Sequence, residues 1–186
     1  MAIRAAFGSL NTGCTHSVLM ALGLSAALWA LPAAAASASE YCFPQIDLAI
    51  ANVHYRDGRA AVERAIGKPH RVRIFSVPGS AGPYRVEQQT YRGLSINLKL
   101  ASQEVEMIVA TGSGAVMPNG VKVGATIADV SQRLRYNVEQ ALSDDLVWTP
   151  SLCERGPYDW IFVGPQFIFA KKNGAIRLQS IEIKRM

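Results

Sequence analysis

Tyr91-Arg92-Gly93 opens a run in which Leu94, Ile96, Leu98 and Leu100 alternate with Ser95, Asn97 and Lys99. Strict alternation is the period of a half-buried strand, with one face in the core and the other in water. Phe162-Val163-Gly164 opens a second such run, Pro165 to Lys171. Each run leads through a short turn into a last apolar strand, Glu104 to Ala110 in one case and Ile176 to Lys184 in the other. Short connections imply antiparallel neighbours. A helical stretch stands ahead of each hairpin, and Gly120 to Leu142 opens the second half. The expectation is an α+β fold of two repeats, each with short helices packed on one face of an antiparallel sheet.

The chain before the repeats reads as a secretory signal. Val18 to Leu31 is an uninterrupted apolar run, and the small residues that follow include Ala34-x-Ala36 and Ala36-x-Ala38, both cleavage patterns. The run is too short to span a bilayer core, which needs about 20 apolar residues. The expected organisation is therefore a signal peptide over 1–38, a first repeat over 39–114 and a second over 115–186. Cys14 leaves with the signal. Cys42 and Cys153 remain in an exported chain, and two cysteines in an oxidising compartment most simply pair.

Within the first repeat, Ile46, Ala49, Ile50 and Val53 have the spacing of a helical stripe. Asp57 is positioned to cap a second helix through Ile66, which Gly67 and Pro69 end. Arg71 to Val77 is β-branched and alternating. Tyr84 to Tyr91 is more polar, which predicts one wet face or an edge position. In the second half, Thr126 and Asp129 form a capping signature ahead of Ile127, Val130 and Leu134. Val138, Ala141 and Leu142 continue that stripe or form a second short helix. Tyr158 to Val163 and the segments on either side of Asn173-Gly174 read as strands, the Asn-Gly pair suiting a hairpin turn.

Val62-x-x-x-Ile66-Gly67-x-Pro69, followed by antiparallel strands, resembles the repeat of the β-lactamase-inhibitor-protein-like fold. Val123-Gly124-x-Thr126-x-x-Asp129-Val130 in the second half is similar in kind. Outer-membrane assembly lipoproteins of the SmpA/OmlA (BamE) type share that fold. The resemblance implies a helix pair on one face of a sheet, with tandem copies joined into a longer concave sheet.

Chemistry-bearing motifs are sparse. His54 and Asp57 could form a base and its orienting group, or a histidine beside a capping aspartate. Neither Cys42 nor Cys153 lies in a metal-binding spacing, and no Gly-x-Ser-x-Gly or Walker lysine is present, so no metal, cofactor or catalytic residue is expected. The formal charge of +5 is interspersed, which predicts a solvated surface rather than a nucleic-acid site. Tyr158 and Trp160 alternate on one strand, and Tyr91 holds the matching place in the first half with Arg92 beside it. Tyr91, Arg92, Tyr158 and Trp160 are the candidate binding residues if those rings are displayed, since tyrosine and tryptophan anchor interfaces. The expected function is an exported, periplasmic or secreted binding module with a protein partner and no stable membrane insertion. Such a module would be an inhibitor or an envelope-assembly accessory. The alternative is an enzyme of another type acting on an envelope substrate.

Overall fold

The computed structural model describes residues 41–153 and 163–185, all within one compact unit, Ser39–Met186. The expected signal over 1–38, and Tyr158, Trp160 and Phe162 of the expected aromatic strand, lie outside the described residues.

Among the described residues, seven strands form one antiparallel sheet. The first half supplies β4 (Arg71–Val77), β5 (Tyr84–Tyr91), β6 (Leu94–Lys99) and β7 (Glu104–Ala110). The second half supplies β8 (Val147–Trp148), β10 (Val163–Lys172) and β11 (Ala175–Arg185). Their order is β4-β5-β6-β7-β11-β10-β8, so the halves meet where β7 pairs with β11. Alternation explains the burial. Leu94, Ile96 and Leu98 are buried on β6 while Ser95 and Asn97 remain half-exposed. Phe167, Phe169, Leu178, Ile181 and Ile183 continue the same buried face onto β10 and β11.

The expected two-repeat α+β arrangement is overturned. The protein is mostly β, and its helices are few and short. The α-helices among the described residues are α1 (Arg59–Ile66), α2 (Ile127–Leu134) and α3 (Val138–Ala141), and they are too short to roof a seven-stranded sheet. Two-residue strands and irregular segments share that work: Phe43, Leu48, Ile50 and Val53 from the amino-terminal side, and Ala115, Met117, Val121 and Ala125 from the connection between halves, all enter one continuous core. The first expected helix is absent as well. Its stripe belongs to a 3-10 turn at Gln45–Asp47 and a small hairpin, β2 (Ala49–Ile50) with β3 (Val53–His54). Ala51 and Asn52 turn that hairpin at φ 53° and 62°, as a tight two-residue loop requires. Buried Ala49, Ile50 and Val53 satisfy a hairpin as well as a helix, so the spacing did not discriminate.

Local signals at the helix ends differ in outcome. Thr126 caps α2, accepting from the Asp129 amide at 3.1 Å, while Asp129 accepts from the Thr126 amide at 2.9 Å. At α1 the cap is Gly58, with no side-chain bond. Asp57 instead accepts from the His54 amide at 2.7 Å and closes the turn ahead of the helix.

The glycines matched between halves also play different roles. Gly93 turns β5 into β6 at φ 72°, and Thr111 and Gly112 both donate to its carbonyl at 2.9 Å. Gly164 lies within the ladder opposite Lys184. A Cβ on Gly93 would lie 2.5 Å from the Gly112 Cα, backbone that cannot swing away. Gly93→Ala is therefore expected to destabilise by about 2 kcal/mol or more, from the positive φ and overpacking together. A urea melt checks this, and Gly174→Ala, with open space at its own positive φ, is the control for backbone strain alone.

Candidate functional site

At one end of the sheet, polarity and burial are inverted. β4 carries Val72, Ile74 and Phe75, yet these are 49, 48 and 39% exposed. β5, next inward, carries Glu87 and Gln89, and both are buried. Register explains the second fact. Glu87, Gln89 and Tyr91 stand opposite Leu98, Ile96 and Leu94, so they occupy the core face of β5. Position explains the first, because β4 is the terminal strand and its outer edge pairs with no described strand.

The buried polar groups are satisfied in a chain. Tyr91 donates through its hydroxyl to Gln89 Oε1 at 2.7 Å, and Gln89 Nε2 donates to Glu87 Oε1 at 2.9 Å. Arg59, the first residue of α1, donates through Nη2 to Glu87 Oε2 and through Nε to Gln103 Oε1 at 2.8 Å. The Arg59 hydrogen bond holds the Glu87 carboxyl below the ordinary carboxylate range, against burial, which acts the other way. Val62, one turn along α1, is fully buried. The chain thus joins α1 to β5 and leaves β4 projecting beyond both.

On β4, residues 72, 74 and 76 share the core-side face, and 71, 73, 75 and 77 share the other. Arg71 and Arg73 stand across from Thr90 and Gln88, both neutral. Neither arginine has an ion-pair partner among the described residues. Arg92 is exposed in the β5–β6 turn, at the end of the sheet where Arg71 pairs with Thr90. One face of the edge therefore presents Val72 and Ile74, and the other combines Arg71 and Arg73 with the exposed ring of Phe75.

A cavity of about 660 Å³ opens at the opposite end of β4 and β5, where the loop through Gly79 to Pro83 joins them. Tyr55, Tyr84, Lys99, Glu106 and Lys184 line it, among others. Burial raises the Glu106 carboxyl, and a hydrogen bond from Tyr84 and the charge of Lys99 partly offset this. The Tyr84 and Tyr55 hydroxyls are raised as well, in both cases chiefly by burial.

The residues singled out in the sequence fall in separate places. Tyr91 is 9% exposed and belongs to the core, so its ring is not displayed. Arg92 is exposed, while Tyr158 and Trp160 lie outside the described residues. Cys42 and Cys153 form a disulfide. His54 Nδ1 lies 3.5 Å from Asp57, but neither His54 nor His70 lines the cavity. No group of metal-ligating side chains and no helix long and apolar enough to cross a membrane occurs among the described residues. The projecting edge and the cavity had no motif to announce them. Both arise from strand order and from segments distant in sequence.

No family model matches the chain, and no curated protein matches it in sequence. Among solved structures it is similar to the uncharacterized protein YfeY from Escherichia coli. The two share 11% identity with a TM-score of 0.48, over 78% of this chain and 100% of that one.

Proposed function

We propose that this protein is an exported, non-enzymatic binding module that takes an extended segment of a partner protein along β4. The observation that carries the reading is the inversion at the sheet end: an apolar terminal strand left exposed outside a buried polar one. A free strand edge presents unpaired backbone donors and acceptors, which another chain can join as an added strand. Val72 and Ile74 offer apolar contact on one face. Arg71 and Arg73 discourage pairing with cationic or wholly apolar edges and favour a segment bearing acids at alternate positions. The Cys42–Cys153 bridge supports placement in an oxidising compartment, periplasmic or extracellular.

The test is a paired pull-down from envelope extract with the wild type and a Val72→Lys, Ile74→Lys variant. Both side chains are about half exposed, so the variant is expected to melt close to the wild type. Its partner affinity is expected to fall by about 2 kcal/mol or more. A partner retained equally by both proteins would reject β4 as the site. Sedimentation of the protein alone would show whether a second copy occupies the edge instead.

A further inference from the structure

We infer that β4 receives its partner segment in one fixed antiparallel frame, hydrogen-bonded to the backbone of Val72, Ile74 and Ser76. This rests on the reading of β4 as the binding edge, and adds the phase, direction and side-chain pattern of what binds there. The phase follows from the strands behind the edge. Leu100 donates to the Arg85 carbonyl at 3.0 Å, and the β5–β6 ladder then runs unshifted from Val86 opposite Lys99 to Tyr91 opposite Leu94. Along an antiparallel strand, residues turn their amide and carbonyl to one neighbour and to the other in alternation. Arg85, Glu87 and Gln89 therefore face β6 with their backbone, and Val86, Gln88 and Thr90 face β4. The Thr90 carbonyl accordingly accepts from the His70 amide at 2.9 Å. Opposite those three stand Phe75, Arg73 and Arg71, so it is they that bond to β5. The amides and carbonyls of Val72, Ile74 and Ser76 point away from the sheet, where no described residue pairs with them.

The chain closes this edge at both ends and leaves its middle open. His70, the next outward position on one side, has its amide turned inward to Thr90. Pro78, the next on the other side, has no amide to offer. Irregular backbone and proline are both means of ending strand pairing, and Val72, Ile74 and Ser76 between them carry neither. Side chains change along the same stretch. Val72 and Ile74 lie on the core-side face, while the other face carries Arg71 and Arg73 in its first half and Phe75 and Val77 in its second. Every described neighbour pair in the seven-stranded sheet is antiparallel, and an added antiparallel strand continues that order. Such a strand sets apolar side chains beside Val72 and Ile74, an acid opposite each arginine and an aromatic ring opposite Phe75. From its amino end the segment is then aromatic, apolar, acidic, apolar, acidic.

The experiment titrates the peptide acetyl-Thr-Phe-Val-Glu-Val-Glu-amide into the purified protein and follows backbone amide resonances and their hydrogen exchange. Saturable binding is expected, with the Val72, Ile74 and Ser76 amides shifting and gaining protection. The Arg73 and Phe75 amides, already bonded to β5, keep the protection they have. Methylating the backbone nitrogens of both peptide valines removes the amides that face β4, and is expected to weaken binding about tenfold or more. Methylating those of the phenylalanine and the first glutamate, which face water, is expected to change it less than about twofold. The reversed sequence, equal in composition and charge, is expected to bind about fivefold or more weakly. Equal binding by the two methylated peptides, tighter binding by the reversed sequence, or no saturable response would overturn the frame. Protection of the same three amides in the protein alone would give the edge to a second copy and overturn it too. A partner that the pull-down still loses with the Val72→Lys, Ile74→Lys variant would, in any of those cases, keep β4 as the site while this frame is withdrawn.

Discussion

Removing the Cys42–Cys153 bridge is expected to lower stability by up to about 4.7 kcal/mol. That is the chain-entropy figure for a closed loop of about 100 residues, and the two cysteines here are 111 apart in sequence. The bridge also has a local task. β1 (Cys42–Phe43) pairs in parallel with β9 (Ser151–Leu152), and Cys153 donates to the Phe43 carbonyl at 3.0 Å. Phe43 is fully buried, with its ring 6.0 Å from that of Phe167. A two-residue parallel pair cannot hold a core phenylalanine in place unaided, so loss of the bridge frees Phe43 as well as the loop. Urea unfolding of the Cys42→Ser, Cys153→Ser protein beside the oxidised wild type measures the sum. For a unit of this size each kcal/mol shifts the melting temperature by about 2–4 °C, so a fall of ten degrees or more is expected. A loss under about 1 kcal/mol would mean that packing alone retains the strap.

What the sequence disclosed and what it concealed divide along local and non-local lines. Alternation located β4 to β7, and Thr126 with Asp129 located the start of α2, because those signals are complete within a few residues. The pairing of Cys42 with Cys153 followed from counting cysteines once Cys14 was assigned to the signal. Strand order was not legible. β5 read as a strand with one wet face or an edge position because it is polar, and β4 read as an alternating strand with nothing to place it in the order. In the sheet β4 is terminal and β5 lies next inside it, with Glu87 and Gln89 buried. Polarity reports burial only when polar groups have no partners, and here Arg59, far away in sequence, makes Glu87 tolerable inside. Tyr91 was misplaced for the same reason, its hydroxyl being satisfied by Gln89 within the core. The mismatch at β4 has no such compensation, and sites where local consistency fails without one are where function is sought.

Arg59→Ala is expected to destabilise by about 3 kcal/mol at neutral pH, and by much less in acid. Glu87 is 6% exposed and Arg59 34%, so the pair is broken from its wetter side while the carboxylate stays in the core. Stranding a buried charge costs about 3–5 kcal/mol. The lower end applies here because Gln89 still donates to Glu87 at 2.9 Å. The pH dependence follows from the direction of each shift. In the wild type the folded Glu87 value is lowered, first by the Arg59 hydrogen bond, so its stabilising contribution is full above the unfolded carboxylate value of about 4.3. That contribution is lost as pH falls through the lower folded value. In the variant, burial without the arginine raises the folded value above the unfolded one. The penalty then builds as pH rises from about 4 and disappears when the carboxyl is protonated in both states. Glu106, whose value burial raises, shifts wild type and variant alike and cancels in their difference. Adding Glu87→Gln to Arg59→Ala removes the charge while keeping an amide partner for Gln89, and is expected to recover most of the loss and flatten the difference curve. Denaturation of the three proteins from pH 3 to 8 decides the matter. A pH-independent loss in Arg59→Ala would show that the arginine acts through packing, with no electrostatic part.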